Sequence, residues 1–107
     1  MGHLTPAQLK GWLDDAEREQ PILLDVREPW EVQICGIPNS LHMPMREVPS
    51  RAAELDPVRP VVAICHHGTR SLQVGVFLEK NGCAKVHNLT GGVDAWSRTI
   101  DPSMPVY

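Results

Sequence analysis

The sequence predicts an α/β domain built on a central, mainly parallel sheet with helices on both faces. Three observations carry this. Ile22-Leu23-Leu24-Asp25-Val26 and Val61-Val62-Ala63-Ile64 are short runs apolar on both faces, as in strands covered from both sides. Helical stretches alternate with the strand-like runs, which implies right-handed crossovers between parallel neighbours. The chain has 107 residues, 42% of them hydrophobic and 21% charged, a size at which one domain buries about 60% or slightly more of its unfolded surface. A single domain spanning residues 1–107 is the expectation, with no repeat, low-complexity tract or linker.

The elements follow in order. Thr5-Pro6-Ala7-Gln8 opens a helix, with Thr5 as cap, Pro6 in the first turn, Gln8 completing a capping box, and Leu4 and Leu9 at staple positions. Leu9, Trp12, Leu13 and Ala16 form its apolar face, and Pro21 ends that unit. After the strand 22–26, Glu28 to Ile34 reads as a short helix, Leu41 to Met43 as a brief extended piece and Val48 to Leu55 as a second helical stretch closed by Pro57. The strand 61–64 leads to a helix from Ser71 to Lys80, stopped at Asn81-Gly82. Lys85 to Leu89 is the next strand, Thr90-Gly91-Gly92 a tight turn, and Val93 to Trp96 begins the last helix.

Composition narrows function. A formal net charge of -3 without basic clusters gives no reason to expect nucleic acid as a partner. Apolar runs are too short for a membrane span and Met1-Gly2-His3-Leu4 has no signal-peptide character, so the cytoplasm is the expected location. Cys35, Cys65 and Cys83 are odd in number and widely spaced, which fits free thiols in a reducing compartment.

The chemistry concentrates at Cys65-His66-His67-Gly68-Thr69-Arg70-Ser71, between a buried strand and a helix start. Unpaired N–H groups and the positive end of the helix dipole favour a thiolate there, and would also bind the anionic part of what it attacks. His66, His67 and Arg70 around an inert core cysteine would serve no purpose, whereas a thiolate receiving an anionic donor gains from each. Gly68 allows the loop to turn its amides inward, and Thr69 and Ser71 add hydroxyl donors or cap the following helix, with the cap the favoured role for Ser71. Arg70 forks onto the donor, braces the loop by pairing with Asp25 or Glu28, or does both in turn. Asp25 and Arg27 follow the first buried strand onto the same rim, where Arg27 would attract anions or form an exposed ion pair. His66 and His67 either carry part of the positive charge near neutral pH or are simply solvated.

Four segments resemble the rhodanese family: Leu23 to Glu28, Gly36 to Ser40, Cys65 to Ser71 and Leu89 to Trp96, in the family's order along nearly the whole chain. The resemblance implies a rhodanese-like three-layer fold with a five-stranded sheet and a single-domain thiosulfate sulfurtransferase. Cys65 would take the outer sulfur of thiosulfate or a similar donor as a persulfide and pass it to cyanide or a thiol, without a cofactor. Where the family carries Gly-His-Ile-Pro-Gly-Ala the chain has Cys35-Gly36-Ile37-Pro38-Asn39-Ser40, and Asn39 can take the left-handed conformation a glycine would supply.

Two other functions fit parts of the pattern. A sulfur carrier or docking module that hands persulfide sulfur to a protein partner would retain Cys65. Cysteine phosphatases and arsenate reductases also use a cysteine-to-arginine loop, but only four residues separate Cys65 from Arg70, one fewer than a phosphate-encircling loop needs. A metal site drawing on Cys65, His66 and His67 with His42 or His87 lacks paired ligand spacing, so none is expected.

Overall fold

The computed structural model describes residues 1–107. Its elements are β1 (Gly2–Leu4), α1 (Pro6–Asp14), β2 (Ile22–Asp25), α2 (Pro29–Ile34), β3 (Leu41–His42), α3 (Val48–Arg51), β4 (Val61–Ile64), α4 (Thr69–Lys80), β5 (Val86–Leu89) and α5 (Gly92–Thr99). Short 3₁₀ turns flank α3, so the stretch read as one helix from Val48 to Leu55 is α-helical only in its first turn. The capping box at Thr5 forms as expected: its hydroxyl accepts from Gln8 N at 3.2 Å and Gln8 Oε1 accepts from Thr5 N at 2.9 Å.

The five strands lie in the order β1-β5-β4-β2-β3, every neighbouring pair parallel. Strand β1 has no signature in its own three residues; it exists because Gly2 to Leu4 aligns with His87 to Leu89. Period-two alternation divides the core. Leu23, Val62, Ile64 and Leu89 face Leu9 and Trp12 of α1 and Val93 and Trp96 of α5. Leu24, Val61 and Val86 face Val48 of α3 and Val74 and Leu78 of α4. Residue 65 therefore begins where the central strand β4 leaves the sheet at its carboxyl edge, the usual ligand side of a parallel sheet. Asn39 adopts φ 69°, as its place in the family pattern implies.

The rim expected at Asp25 and Arg27 is instead interior. Arg27 is 0% exposed and Asp25 1%. Arg27 Nε and Nη2 donate to the Asp25 carboxylate at 2.9 and 2.7 Å, Nη2 also reaches Cys35 O at 2.7 Å, and Nη1 reaches the Tyr107 hydroxyl at 3.0 Å. Burial works against the guanidinium charge, but the hydrogen bonds to Asp25 and Tyr107 outweigh it and hold Arg27 above its ordinary range. Arg27 faces away from solvent because Asp25, two residues earlier on the strand end, would otherwise be a buried carboxylate without a partner. It organises the chain around the site and is not available to attract anions.

Arg27→Met should cost about 3–5 kcal/mol in urea unfolding, because it strands the Asp25 carboxylate. The double variant Asp25→Asn/Arg27→Met should lose less than the single one. A single-variant loss below about 1 kcal/mol would contradict the buried-pair account.

Candidate active site

Cys65 follows β4 directly, and the loop that begins with it ends in α4. The helix starts two residues earlier than the sequence predicts, because Gly68 at φ 100° is the cap and not Ser71. That left-handed turn brings the Gly68 amide onto the sulfur: Gly68 N donates to Cys65 Sγ at 3.0 Å. A side chain on Gly68 would stand 3.2 Å from Gly91 N, so the position is constrained both by conformation and by space. Ser71, released from capping, lies in the first turn of α4 with its hydroxyl 3.3 Å from Cys65 Sγ and also against Asn88 Oδ1. A hydroxyl has one proton, so Ser71 serves the sulfur or Asn88 at any moment. With a thiol at residue 65 the proton can rest on Asn88; with a thiolate it can turn to the sulfur.

The loop backbone is held from behind by α5. Val93 N donates to Cys65 O at 2.9 Å and Asp94 N to His66 O at 3.1 Å. These first amides of α5 have no partner within their own helix, and the two loop carbonyls satisfy them. The approach requires Gly92, where a Cβ would fall 2.3 Å from Cys65 O and 2.4 Å from His66 O. Asn88 of β5 completes the frame by donating from Nδ2 to Gly68 O at 3.2 Å.

Short loops suggest an open, shallow site, and the structure corrects this. Cys65 is 1% exposed and shares a core cluster with Leu24, Val61 and Val74, so its sulfur lies beneath the loop. His67 and Thr69 are exposed above it, with His66, Gly68 and Arg70 partly buried. A cleft of about 600 Å³ lies elsewhere, lined by residues such as Lys10, Leu23 and Trp96, with none of residues 65–71 in its wall. Cys35 and Cys83 are free and buried as well, and burial pushes the Cys83 thiol up.

Arg70 pairs with neither Asp25 nor Glu28. It forks onto Glu31 of α2, Nη1 to Oε2 and Nη2 to Oε1, both at 2.7 Å. Glu31 also accepts from Glu28 N at 2.9 Å and from the Tyr107 hydroxyl at 2.9 Å. Arg70 thus ties α4 to α2 through Glu31, a partner the sequence reading missed. Arg70 is held above its ordinary range chiefly by Glu31, with a smaller contribution from the charge of Cys65.

His66 is shifted the other way: burial and then the neighbouring His67 lower its pKa, so its share of positive charge is reduced. His66 and His67 come together with Asp94, with one ligand-capable atom from each mutually within 4.8 Å, and not with His42 or His87. His42 Nε2 is instead 2.7 Å from Arg27 O. Asp94 is paired with Arg98 at 3.2 Å.

Glu31 is pushed down to about 2, first by the hydrogen bonds from Arg70, with burial opposing. A carboxyl lowered on folding stabilises the protein above its ordinary value near 4.5, and that contribution fades as the pH falls toward about 2. Glu31→Gln should therefore be destabilised at neutral pH and show a flatter loss of stability below about pH 4.5, read by urea unfolding across that range. Parallel pH profiles for variant and parent would contradict this.

The sequence matches the family described as rhodanese-like domain over residues 5–99. A sulfurtransferase of Allochromatium vinosum is 40% identical over 83 residues, covering 78% of this chain and 78% of that protein. The thiosulfate sulfurtransferase GlpE of Pseudomonas syringae pv. syringae is 33% identical over 85 residues, covering 78% and 80%. The rhodanese-like/PpiC domain-containing protein 12, chloroplastic, of Arabidopsis thaliana is 36% identical over 100 residues, and this chain spans 32% of that longer protein. The crystal structure of a rhodanese-like domain protein from Staphylococcus aureus matches with a TM-score of 0.83 at 30% identity, covering 90% of this chain and 91% of that one. Sequence and fold agree over most of its length, and the chain belongs to the rhodanese-like sulfurtransferase family.

Proposed function

We propose that Cys65 is the nucleophile of a sulfane-sulfur transfer from thiosulfate, or a similar donor, to cyanide or a thiol. The observation that best supports this reading is the convergence of two donors on one sulfur, Gly68 N–H at 3.0 Å and the Ser71 hydroxyl at 3.3 Å. A small core hydrophobe has no use for them, whereas a thiolate and the persulfide made from it are both anionic. In the first half-reaction the Cys65 thiolate attacks the outer sulfur of thiosulfate. A new S–S bond forms, the donor's S–S bond breaks, and sulfite leaves with the electron pair. In the second, cyanide or a thiolate attacks the terminal sulfur, carries it away as thiocyanate or a new persulfide, and returns Cys65 as thiolate. The cycle needs no cofactor and predicts ping-pong kinetics.

The same geometry speaks against phosphoryl chemistry. Arg70 already has both terminal nitrogens on Glu31, and only four residues separate it from Cys65. Three equatorial phosphate oxygens need a wider ring and free donors. One observation favours a second reading, that of a carrier delivering sulfur to a protein acceptor. The sulfur is covered by its loop, and a docking protein can displace a loop that a small acceptor must penetrate.

After exposure to thiosulfate, intact-mass analysis should find one added sulfur atom per chain, and none in Cys65→Ser or Cys65→Ala, which should keep the fold. Thiocyanate formation should be lost with the adduct. An adduct or thiocyanate formed by either variant would overturn the assignment of Cys65. Fast discharge to a protein thiol with slow discharge to cyanide would favour the carrier.

A further inference from the structure

Tyr107 is distant from Cys65 in sequence, yet its side chain touches three parts of the site. Its hydroxyl donates to Glu31 Oε1 at 2.9 Å and accepts from Arg27 Nη1 at 3.0 Å. Its ring stacks on His66, with centroids 3.9 Å apart and planes 5° from parallel. Trp30 of α2 meets it nearly edge-on at 6.0 Å. None of these contacts reaches a reacting atom of the transfer proposed above.

We infer that Tyr107 is a positioning residue for sulfur transfer, fixing the Glu31–Arg70 fork through its hydroxyl and the Cys65 loop through its ring. The inference rests on the reading of Cys65 as the persulfide-forming nucleophile. The hydroxyl sits between a buried cation and a buried anion. Phenylalanine there would leave Arg27 Nη1 with only its longer contacts, to Glu31 O at 3.4 Å and Cys35 Sγ at 3.8 Å, and Glu31 Oε1 with Arg70 as its one side-chain donor. Arg70 stands in the first turn of α4, directly after the loop that Cys65 begins, so the orientation of its fork on Glu31 bears on an anionic donor approaching the sulfur. Burial and the carboxylate of Glu31 push the Tyr107 hydroxyl up to about 12 against the opposing effect of Arg27, which keeps it a donor across the working pH range.

The ring acts on a different element. His66 Nε2 is buried with no hydrogen-bond partner, so that end of the imidazole is held by packing alone. The faces available are His67, tilted 31° at 3.8 Å, and Tyr107. Since His67 is exposed, Tyr107 is the firmer of the two contacts. His66 adjoins the nucleophile, and its carbonyl is one of the two bound by α5, so a displaced imidazole shifts the backbone that aims Gly68 at the sulfur.

The test compares Tyr107→Phe and Tyr107→Leu with the parent chain, by single-turnover loading of Cys65 from thiosulfate followed by intact mass, and by NMR titration of His66. Tyr107→Phe keeps the stack and loses the bridge: half-saturating thiosulfate should rise about 3–10-fold, the saturating rate should fall less, and the His66 titration should stay below the ordinary range. Tyr107→Leu loses both, so its saturating rate should fall about tenfold or more and the His66 titration should move up toward the ordinary value. Parent-like loading by both variants, or lower stability with unchanged kinetics in the folded fraction, would overturn the inference. If Tyr107→Leu fails to fold, the Phe variant decides alone, with loading constants within about twofold of the parent counting against a positioning role. A parent chain that takes up no sulfur would instead refute the nucleophile assignment, leaving the His66 titration to report the ring contact.

Discussion

The site depends on two hydrogen bonds that involve no side chain at all, from Val93 N to Cys65 O and from Asp94 N to His66 O. They turn the carbonyls of the loop toward α5. With the carbonyls of residues 65 and 66 held this way, the loop is fixed up to the point where the Gly68 amide meets the sulfur at 3.0 Å. Gly92 makes the approach feasible, since a side chain there would overlap the Cys65 carbonyl, and Gly68 completes the reversal by its left-handed turn. The first amides of α5, unpaired within their own helix, are spent on the backbone of Cys65 and His66.

Around this frame two ion pairs divide the labour. Asp25 with Arg27 is sealed inside and ties β2 to the main chain at Cys35. Glu31 with Arg70 ties α2 to α4 beside the sulfur. Tyr107 joins the two, so that three separate segments share one polar network. Such a network is worth more in rigidity than the exposed pairs elsewhere, Lys10 with Asp14 or Arg51 with Glu54, which solvent screens. Its members also explain each other: each buried charge is tolerable because another answers it.

Much of this was legible in the sequence where the signal is local. Doubly apolar runs, capping residues and glycine stops located β2, β4, α1 and α4, and the motif at residues 65–71 located the loop that gathers hydrogen-bond donors around the Cys65 sulfur. Less was legible wherever a residue's role depends on a distant partner. Strand β1 is specified by β5, and Arg27 turned inward because Asp25 and Cys35 O awaited it. Glu31 could have been singled out by its place in the first turn after Pro29, and Asn88 by its polarity within an otherwise apolar strand end. Tyr107 carried no local sign, because its significance comes entirely from the rings and charges the fold gathers around it. The covered sulfur was missed for a related reason: loop length reports reach, whereas burial depends on what packs above and below.

A paired substitution probes the frame most directly, because the chain contains a matched control. Gly92 and Gly82 both have positive φ, 59° and 103°, but a Cβ on Gly92 meets Cys65 O at 2.3 Å while one on Gly82 meets nothing within 4 Å. Conformational strain is thus common to both replacements, and only one disturbs the loop carbonyls. The rate at which thiosulfate loads Cys65, measured on folded Gly92→Ala and Gly82→Ala, should fall about tenfold or more in the first and stay within about twofold of the parent in the second. Equal rates in the two variants would contradict the claim that α5 aims the loop at its sulfur.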